Sequence, residues 1–168
     1  MSLPVPSRAV ITVRRARQAD IPQMLRVMEP FVARGDLLPR TAADLAREIE
    51  RYVVAADGDR VVGTGALKPY SPDLAEIIAL AVDAAYQGQG VGRMIVERLL
   101  RIAGELGIGE VFALTRRPDF FYRVGFTLAD KARFPQKVWF DCNRCPRQHC
   151  CDEIAVHIIN VASGSFLA

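Results

Sequence analysis

Residues 74–83, LAEIIALAVD, are apolar almost throughout, and four positions later comes Gln87-Gly88-Gln89-Gly90-Val91-Gly92-Arg93, with three glycines in seven residues. A run of apolar residues this short fits a strand buried on both faces in the middle of a sheet. The segment 91–106 repeats apolar residues at helical spacing and ends at Gly107, so the order is strand, glycine-rich turn, helix. Glycine costs backbone entropy, and a turn holding three of them implies unusual dihedrals or close approach to the main chain. The first amides of a helix have no internal partner, and the dipole makes that end partly positive. Gln87 to Gly92 therefore reads as a cradle for phosphate oxygens, with Arg93 as an added cation. A tight strand–helix connection without a ligand is the alternative, and glycine-rich turns are common enough to keep it open. The turn is not a Walker loop, since no Gly-Lys-Ser/Thr follows, and its spacing is not that of a dinucleotide-binding turn.

The rest of the chain alternates in the same way. VITVR (10–14) reads as a strand. Ile21, Met24, Leu25, Met28 and Phe31 or Val32 mark a helix over 18–33, broken by RGDLLP. Thr41 and Asp44 form a capping box ahead of a helix over 42–50. Two β-rich runs flank Asp57-Gly58, a hairpin signal. GEVFAL (109–114) is a strand, Pro118 opens a helix that stops at Gly125, and DEIAVHIINV (152–161) is a closing strand. This order predicts one layered α/β domain over 10–161, with flexible tails at 1–9 and 162–168. The chain has 168 residues and a net charge of +3 with scattered basic residues, which disfavours a nucleic-acid partner or a membrane surface. It has no apolar run long enough for a bilayer and no signal-peptide pattern at its start, so a cytoplasmic location is expected.

Gln87-Gly88-Gln89-Gly90-Val91-Gly92 fits the Q/R-x-x-G-x-G/A motif, and it stands after LAVD and before a long helix. With RRARQADI, VVGTGALKPY and FYRVGF in order around it, the chain resembles the GNAT N-acetyltransferases over about residues 10–161. GALKPY, EIIALAV, FALT and KVWFDCNRCP…CCDEIAV further resemble the acetyltransferase domain of N-acetylglutamate synthases and their short stand-alone relatives. The resemblance implies an α/β (α+β) fold, with a central mixed, mostly antiparallel sheet and helices on both faces. It implies acetyl-CoA as cosubstrate and the α-amine of a small amino acid, glutamate or glutamine, as acceptor, by direct attack in a ternary complex. The kinase domain of the long synthases is not in these 168 residues, so arginine sensing through it is not expected.

Residue roles follow from the same resemblance. The backbone of Leu80, Ala81 and Val82 pairs with the pantetheine arm, and the Val82 amide polarises the thioester carbonyl. The amides of Gln87, Gly88, Gln89, Gly90, Val91 and Gly92, with Arg93, hold the pyrophosphate. Glu76 is the candidate general base, because an isolated carboxylate in an apolar run is expected to have a raised pKa; a solvated strand end is its bland alternative. The family's tyrosine acid would fall at Phe121, and Tyr122 stands one position later, about 100° round a helix. Tyr122 as donor to the leaving thiolate and Tyr122 as packing both remain readings. Arg14, Lys68, Thr115 and Arg116 are candidates for the substrate's carboxylate, against the alternative of ordinary surface charge. Cys151, Asp152 and Glu153 depart from the Arg/Asn/Ser cluster of some long synthases, which favours a neutral side chain such as glutamine's, or another amino acid.

All four cysteines lie at 142–151, as Cys142, Cys145, Cys150 and Cys151, with His149 among them. Zinc on a subset is one reading; thiols in a loop shaping the substrate pocket is the favoured one, because the four-residue gap between Cys145 and Cys150 is short for a tetrahedral site. A GNAT acting on a peptide amine or polyamine, or a module that binds acetyl-CoA without turnover, remains the rival, and a homodimer is compatible with the fold.

Overall fold

The computed structural model describes residues 10–134 and 153–164. Among the described residues seven strands form one sheet: β1 (Ile11–Arg15), β2 (Tyr52–Asp57), β3 (Arg60–Ser71), β4 (Leu74–Val82), β5 (Glu110–Thr115), β6 (Thr127–Leu128) and β7 (Ile154–Ile159). Their order is β1-β2-β3-β4-β5-β7-β6, antiparallel everywhere except between β4 and β5. Four α-helices cover it: α1 (Ile21–Ala33), α2 (Ala42–Glu48), α3 (Val91–Glu105) and α4 (Pro118–Val124). This is the mixed, mostly antiparallel α/β sheet expected from the sequence.

Two cores lie on the two faces. On one, α3 buries Ile95, Leu99 and Leu100 against Val53, Val62, Leu67 and Ile77. On the other, Met24, Val27 and Met28 of α1 and Leu45 of α2 pack on Tyr52, Val54, Val61 and Ala66. Alternate residues of β2 feed the two cores, as the two-residue period of a strand requires. The close seat of α3 depends on Gly65, where an added Cβ would stand 2.6 Å from Ile95 Cγ2 and 3.2 Å from Leu99 Cδ1.

The local signals act as their chemistry dictates. Thr41 Oγ1 accepts from the Asp44 amide at 3.1 Å, and Asp44 accepts from the Thr41 amide at 2.9 Å, closing the capping box. Gly58 turns the β2–β3 hairpin with φ of 57°, and Gly125 ends α4 with φ of 107°. The helix expected over 18–33 is a 3₁₀ turn, Gln18–Asp20, followed by α1. The helix expected over 42–50 ends at Glu48 and tightens into a second 3₁₀ turn, Ile49–Arg51. β3 runs on through Lys68-Pro69-Tyr70 to Ser71, and β6 is a two-residue edge strand with no periodicity to announce it.

The feature that positions the site is a gap in the sheet. β4 and β5 pair only over Leu74↔Glu110, Ala75↔Val111 and Glu76↔Phe112, although β4 continues to Val82 and β5 to Thr115. Past that point the two parallel strands separate. β4 is also interrupted: Thr64 pairs with Ala81 but Ala66 pairs with Ile78, so two residues of β4 face one of β3. Ala79 takes φ of 55° there, and the buried Thr64 hydroxyl donates to its carbonyl at 2.8 Å. A bulge sharpens local twist and re-aims side chains, and here it sits beside the opening.

Candidate active site

A cleft of about 420 Å³ fills the space between the separated strands. One wall is β4 from Glu76 to Leu80, and the other is the end of β5 with the start of α4, from Ala113 to Arg117 with Phe120 and Phe121. The connection between α1 and α2, from Gly35 to Arg40, closes one side, with Glu153 also on the lining. Glu76 is 8% exposed, the one glutamate among the buried polar residues. Its carboxylate accepts a hydrogen bond from the Tyr70 hydroxyl at 2.9 Å. Arg116 pairs with Asp36 across the cleft side, so the end of β5 is tied to the α1–α2 connection.

The glycine-rich turn stands at the far end of β4. The chain leaves Val82 through a 3₁₀ turn, Ala84–Tyr86, held by Asp83 Oδ1 accepting from the Ala85 amide at 3.0 Å and by the Tyr86 hydroxyl donating to Asp57 at 2.6 Å. Gly88 and Gly90 both have positive φ, 75° and 83°, and an added Cβ on either would meet nothing within 4 Å. These two glycines answer a dihedral demand rather than crowding. Gly90 is the N-cap of α3, and no side chain among the described residues caps that helix start. Gly92 is different, since its Cβ would lie 3.2 Å from the Phe120 ring. The Gln87 side chain donates to Val82 O at 2.9 Å and the Gln89 side chain to Ala85 O at 3.2 Å, so both glutamines brace the turn. Arg93 is exposed and pairs with Glu97 at 2.9 Å.

Main-chain direction on β4 follows from its ladder. The Asp83 amide donates to Val62 O at 2.8 Å, so Asp83 faces β3. Alternation turns the N–H and C=O of Val82 away from β3, whereas Leu80 lies in the bulge, where that alternation is interrupted. The main chain of Ala81 is on the β3 side, paired with Thr64.

The cleft brings together Glu76, Leu80, Thr115 and Arg116 from the sequence-based candidates. Thr115 Oγ1 accepts from the Arg117 amide at 2.8 Å, which also shapes the strand end. Lys68 stands across from Glu76 on β3 but is not on the cleft lining. Tyr122 is 40% exposed, and Phe121, one residue earlier, occupies the wall. The helical turn of about 100° per residue explains the exchange. Arg14 is away from the cleft, on β1, with β2 and β3 between it and β4. Its guanidinium donates twice to Asp20, at 2.7 and 2.9 Å, so its fork is engaged by a carboxylate of the fold itself. The four cysteines lie outside the described residues, and no metal-binding group of His, Cys, Asp or Glu occurs among the described ones.

The Arg14–Asp20 pair has a stability role with a definite sign. Hydrogen bonds from Arg14 hold the Asp20 carboxyl below the ordinary value of 3.8, against burial, which raises it. A depressed carboxyl stabilises the fold above its unfolded value, and that contribution disappears as pH falls through the folded value. Asp20→Asn should cost about 1–3 kcal/mol at pH 7. Urea denaturation at pH 7 and near pH 3 should show the deficit shrinking in acid. A deficit of equal size at both pH values would exclude this account.

Sequence reasoning did not find Asp36, Leu37 or Phe120 as wall residues, nor Tyr70 as a partner of Glu76. RGDLLP signalled only a helix break, and nothing in its pattern says that the connection folds over the β4–β5 opening.

The sheet thus opens between two parallel strands, with the buried Glu76 carboxylate in the gap and an uncapped glycine-rich helix start at its end, which leaves room for an extended ligand with a phosphate group. The chain belongs to the Acetyltransferase (GNAT) family, whose model matches residues 20–126; it is an N-acetyltransferase. It is 39% identical over 144 residues to an uncharacterized N-acetyltransferase of Chlorobaculum tepidum, covering 86% of this chain and 93% of that one. It is 40% identical over 118 residues to the amino-acid acetyltransferase of Mycobacterium tuberculosis, 68% of this chain and 67% of that one. Among solved structures it resembles N-acetylglutamate synthase from Neisseria gonorrhoeae complexed with coenzyme A and N-acetyl-glutamate. The TM-score is 0.82 at 25% identity, over 92% of this chain but 36% of that one. The chain likewise spans only 29% of the amino-acid acetyltransferase of Pasteurella multocida. No helix among the described residues is long and apolar enough to cross a membrane.

Proposed function

We propose that the protein transfers the acetyl group of acetyl-CoA to the α-amine of a small amino acid, with glutamine or glutamate as the leading acceptors. The observation that carries this reading is a cleft whose lining includes both the buried Glu76 carboxylate and the Arg116 guanidinium. The relatives named amino-acid acetyltransferase support it.

Acetyl-CoA supplies a thioester, and the residues present suit it. The open space at Gly88 and Gly90 and the uncapped start of α3 fit a pyrophosphate. The Val82 amide is turned from β3 and is the donor for oxygen charge developing at the carbonyl, while Val82 O accepts from Gln87; Leu80, in the bulge on the cleft wall, would pair with the extended arm beside it. Glu76 takes the proton that the incoming ammonium must lose before its nitrogen attacks. The tetrahedral adduct collapses with loss of the thiolate, a good leaving group, and the second proton that the nitrogen sheds passes to that thiolate directly or through solvent. Tyr122 has no part in this scheme, because its ring is outside the wall.

Arg116 holds the substrate's carboxylate by exchanging it for Asp36, and Thr115 lies beside it. Asp36 and Glu153 add negative charge to the lining and Arg40 and Arg117 positive charge, so the lining accommodates glutamine and glutamate alike. Lys68, across from Glu76, adds positive potential nearby.

CoA release from acetyl-CoA with a panel of free amino acids, polyamines and peptides tests the reading. Turnover is expected on glutamine or glutamate; turnover confined to polyamines or peptides would exclude an amino-acid acceptor. Arg116→Met should raise KM for the amino acid about 10–100-fold, the worth of a hydrogen bond to a charged group, and leave KM for acetyl-CoA within about twofold. An unchanged amino-acid KM would remove Arg116 from the substrate site.

A further inference from the structure

The hydroxyl that holds Glu76 comes from an irregularity in β3. Pro69 pairs with Ala75 and Ser71 pairs with Leu74, which leaves Tyr70 with no opposite residue on β4. Lys68-Pro69-Tyr70 is thus a second bulge in the same strand pair. Proline removes a ladder donor and is confined in sheets to edges and bulges, so Pro69 favours the irregularity where it occurs. A bulged strand re-aims its side chains. Here the displaced residue brings its hydroxyl to 2.9 Å from Glu76 Oε1.

A neighbouring ring and a cation hold the Tyr70 ring that carries this hydroxyl. Phe112, the β5 residue in register with Glu76, lies beside the Tyr70 ring at 6.0 Å between centroids. Phe134 stacks on Phe112 at 4.0 Å and 14°. Lys68 Nζ sits 5.2 Å from the centre of the Tyr70 ring, in cation–π range. The ring thus has an aromatic neighbour and a cation in range, although packing alone would be served as well by phenylalanine.

We propose that Tyr70 is a positioning residue for Glu76, fixing the rotamer of the carboxylate and favouring its ionised form. The proposal rests on Glu76 acting as the base. A base must stand within hydrogen-bond reach of the proton it removes, and a glutamate at a strand end has freedom about its side-chain torsions. A hydroxyl donating to one carboxylate oxygen limits that freedom and stabilises the charged form. Among the described residues, the other charged groups around Glu76 and its cleft are Lys68 on β3, Arg116 and Arg117 beyond β5, Asp36 and Arg40 in the α1–α2 connection, and Glu153 ahead of β7. Tyr70→Phe leaves all of them in place, so its effect isolates the hydroxyl.

The test is the pH profile of kcat/KM for wild type, Tyr70→Phe and Glu76→Gln with the best amino-acid acceptor. Tyr70→Phe should lower kcat about tenfold, leave both KM values within about twofold, and move the acid limb of the profile up by about one pH unit. Loss of folded protein lowers a whole profile without moving its limb, so the shift separates positioning from packing. An unmoved limb in Tyr70→Phe beside an inactive Glu76→Gln overturns the proposal and keeps Glu76 as base. An active Glu76→Gln overturns the base, and the role of Tyr70 with it.

Discussion

Glu76→Gln is expected to lower kcat/KM for the amino acid by about 10²–10⁴-fold, the range of a positioned general base, while the affinity for CoA stays as it is. The amide has nearly the volume of the carboxylate and can still accept the Tyr70 hydrogen bond through its oxygen, so the packing around a residue only 8% exposed is kept. What it cannot do is take the ammonium proton. The deficit should therefore shrink as pH rises, because a growing share of the amine has lost that proton to solvent before it reaches the cleft. Wild type should fall off on the acid side as Glu76 itself becomes protonated. CoA release by stopped assay from pH 6 to 10, beside CoA titration calorimetry at pH 7, checks each part. A Glu76→Gln rate within about threefold of wild type across that range would mean that water or the substrate's own equilibrium handles the proton, and that Glu76 only shapes the cleft.

The fold was legible from periodicity because the elements that build it are local. An apolar strand over 74–83, a capped helix after Thr41 and a hairpin at Asp57-Gly58 each carry their own chemistry, and the structure places all three where that chemistry puts them. Glu76 stood out for a related reason, as one carboxylate in an otherwise apolar strand, but nothing in the sequence says that β4 and β5 separate beyond it. The other half of the site is set by long-range contacts. Asp36 meets Arg116 because a connection between two helices folds over the opening, and Tyr70 meets Glu76 because a bulge shifts one residue of β3. Neither leaves a spacing signature. Arg14 shows the ambiguity of a lone basic residue. A basic residue on an early strand matched a family position, yet Asp20, six residues on, supplies a buried carboxylate for it. An arginine read in isolation cannot be assigned between a substrate's carboxylate and the fold's own. Tyr122 is one step on a helix from Phe121, which lines the cleft, the smallest displacement that turns a side chain toward solvent.

The second large effect is expected at the glycine turn. Gly88→Ala combined with Gly90→Ala should raise the dissociation constant for CoA about 10–100-fold and KM for acetyl-CoA in parallel, with kcat at saturation within about threefold of wild type. The two positions have φ of 75° and 83°, and a β-carbon at either has open space around it. Collision with the protein therefore contributes nothing, and the cost is the left-handed backbone itself, roughly 1–2 kcal/mol per residue for a side chain other than glycine. Two such residues make the cradle a minor conformation of the turn, and apparent affinity falls by the fraction that remains competent. Glu76 and Arg116 lie on other elements and are untouched, so bound substrate should react nearly as before. Gly107→Ala is the matched control. That residue also has positive φ, 76°, in open space, but it follows α3 at the end away from the turn. It should lower stability by a similar amount in urea and leave the CoA constant alone. Equal CoA affinity in the double variant and wild type would show that the turn is only a strand–helix connection and that the phosphates bind elsewhere.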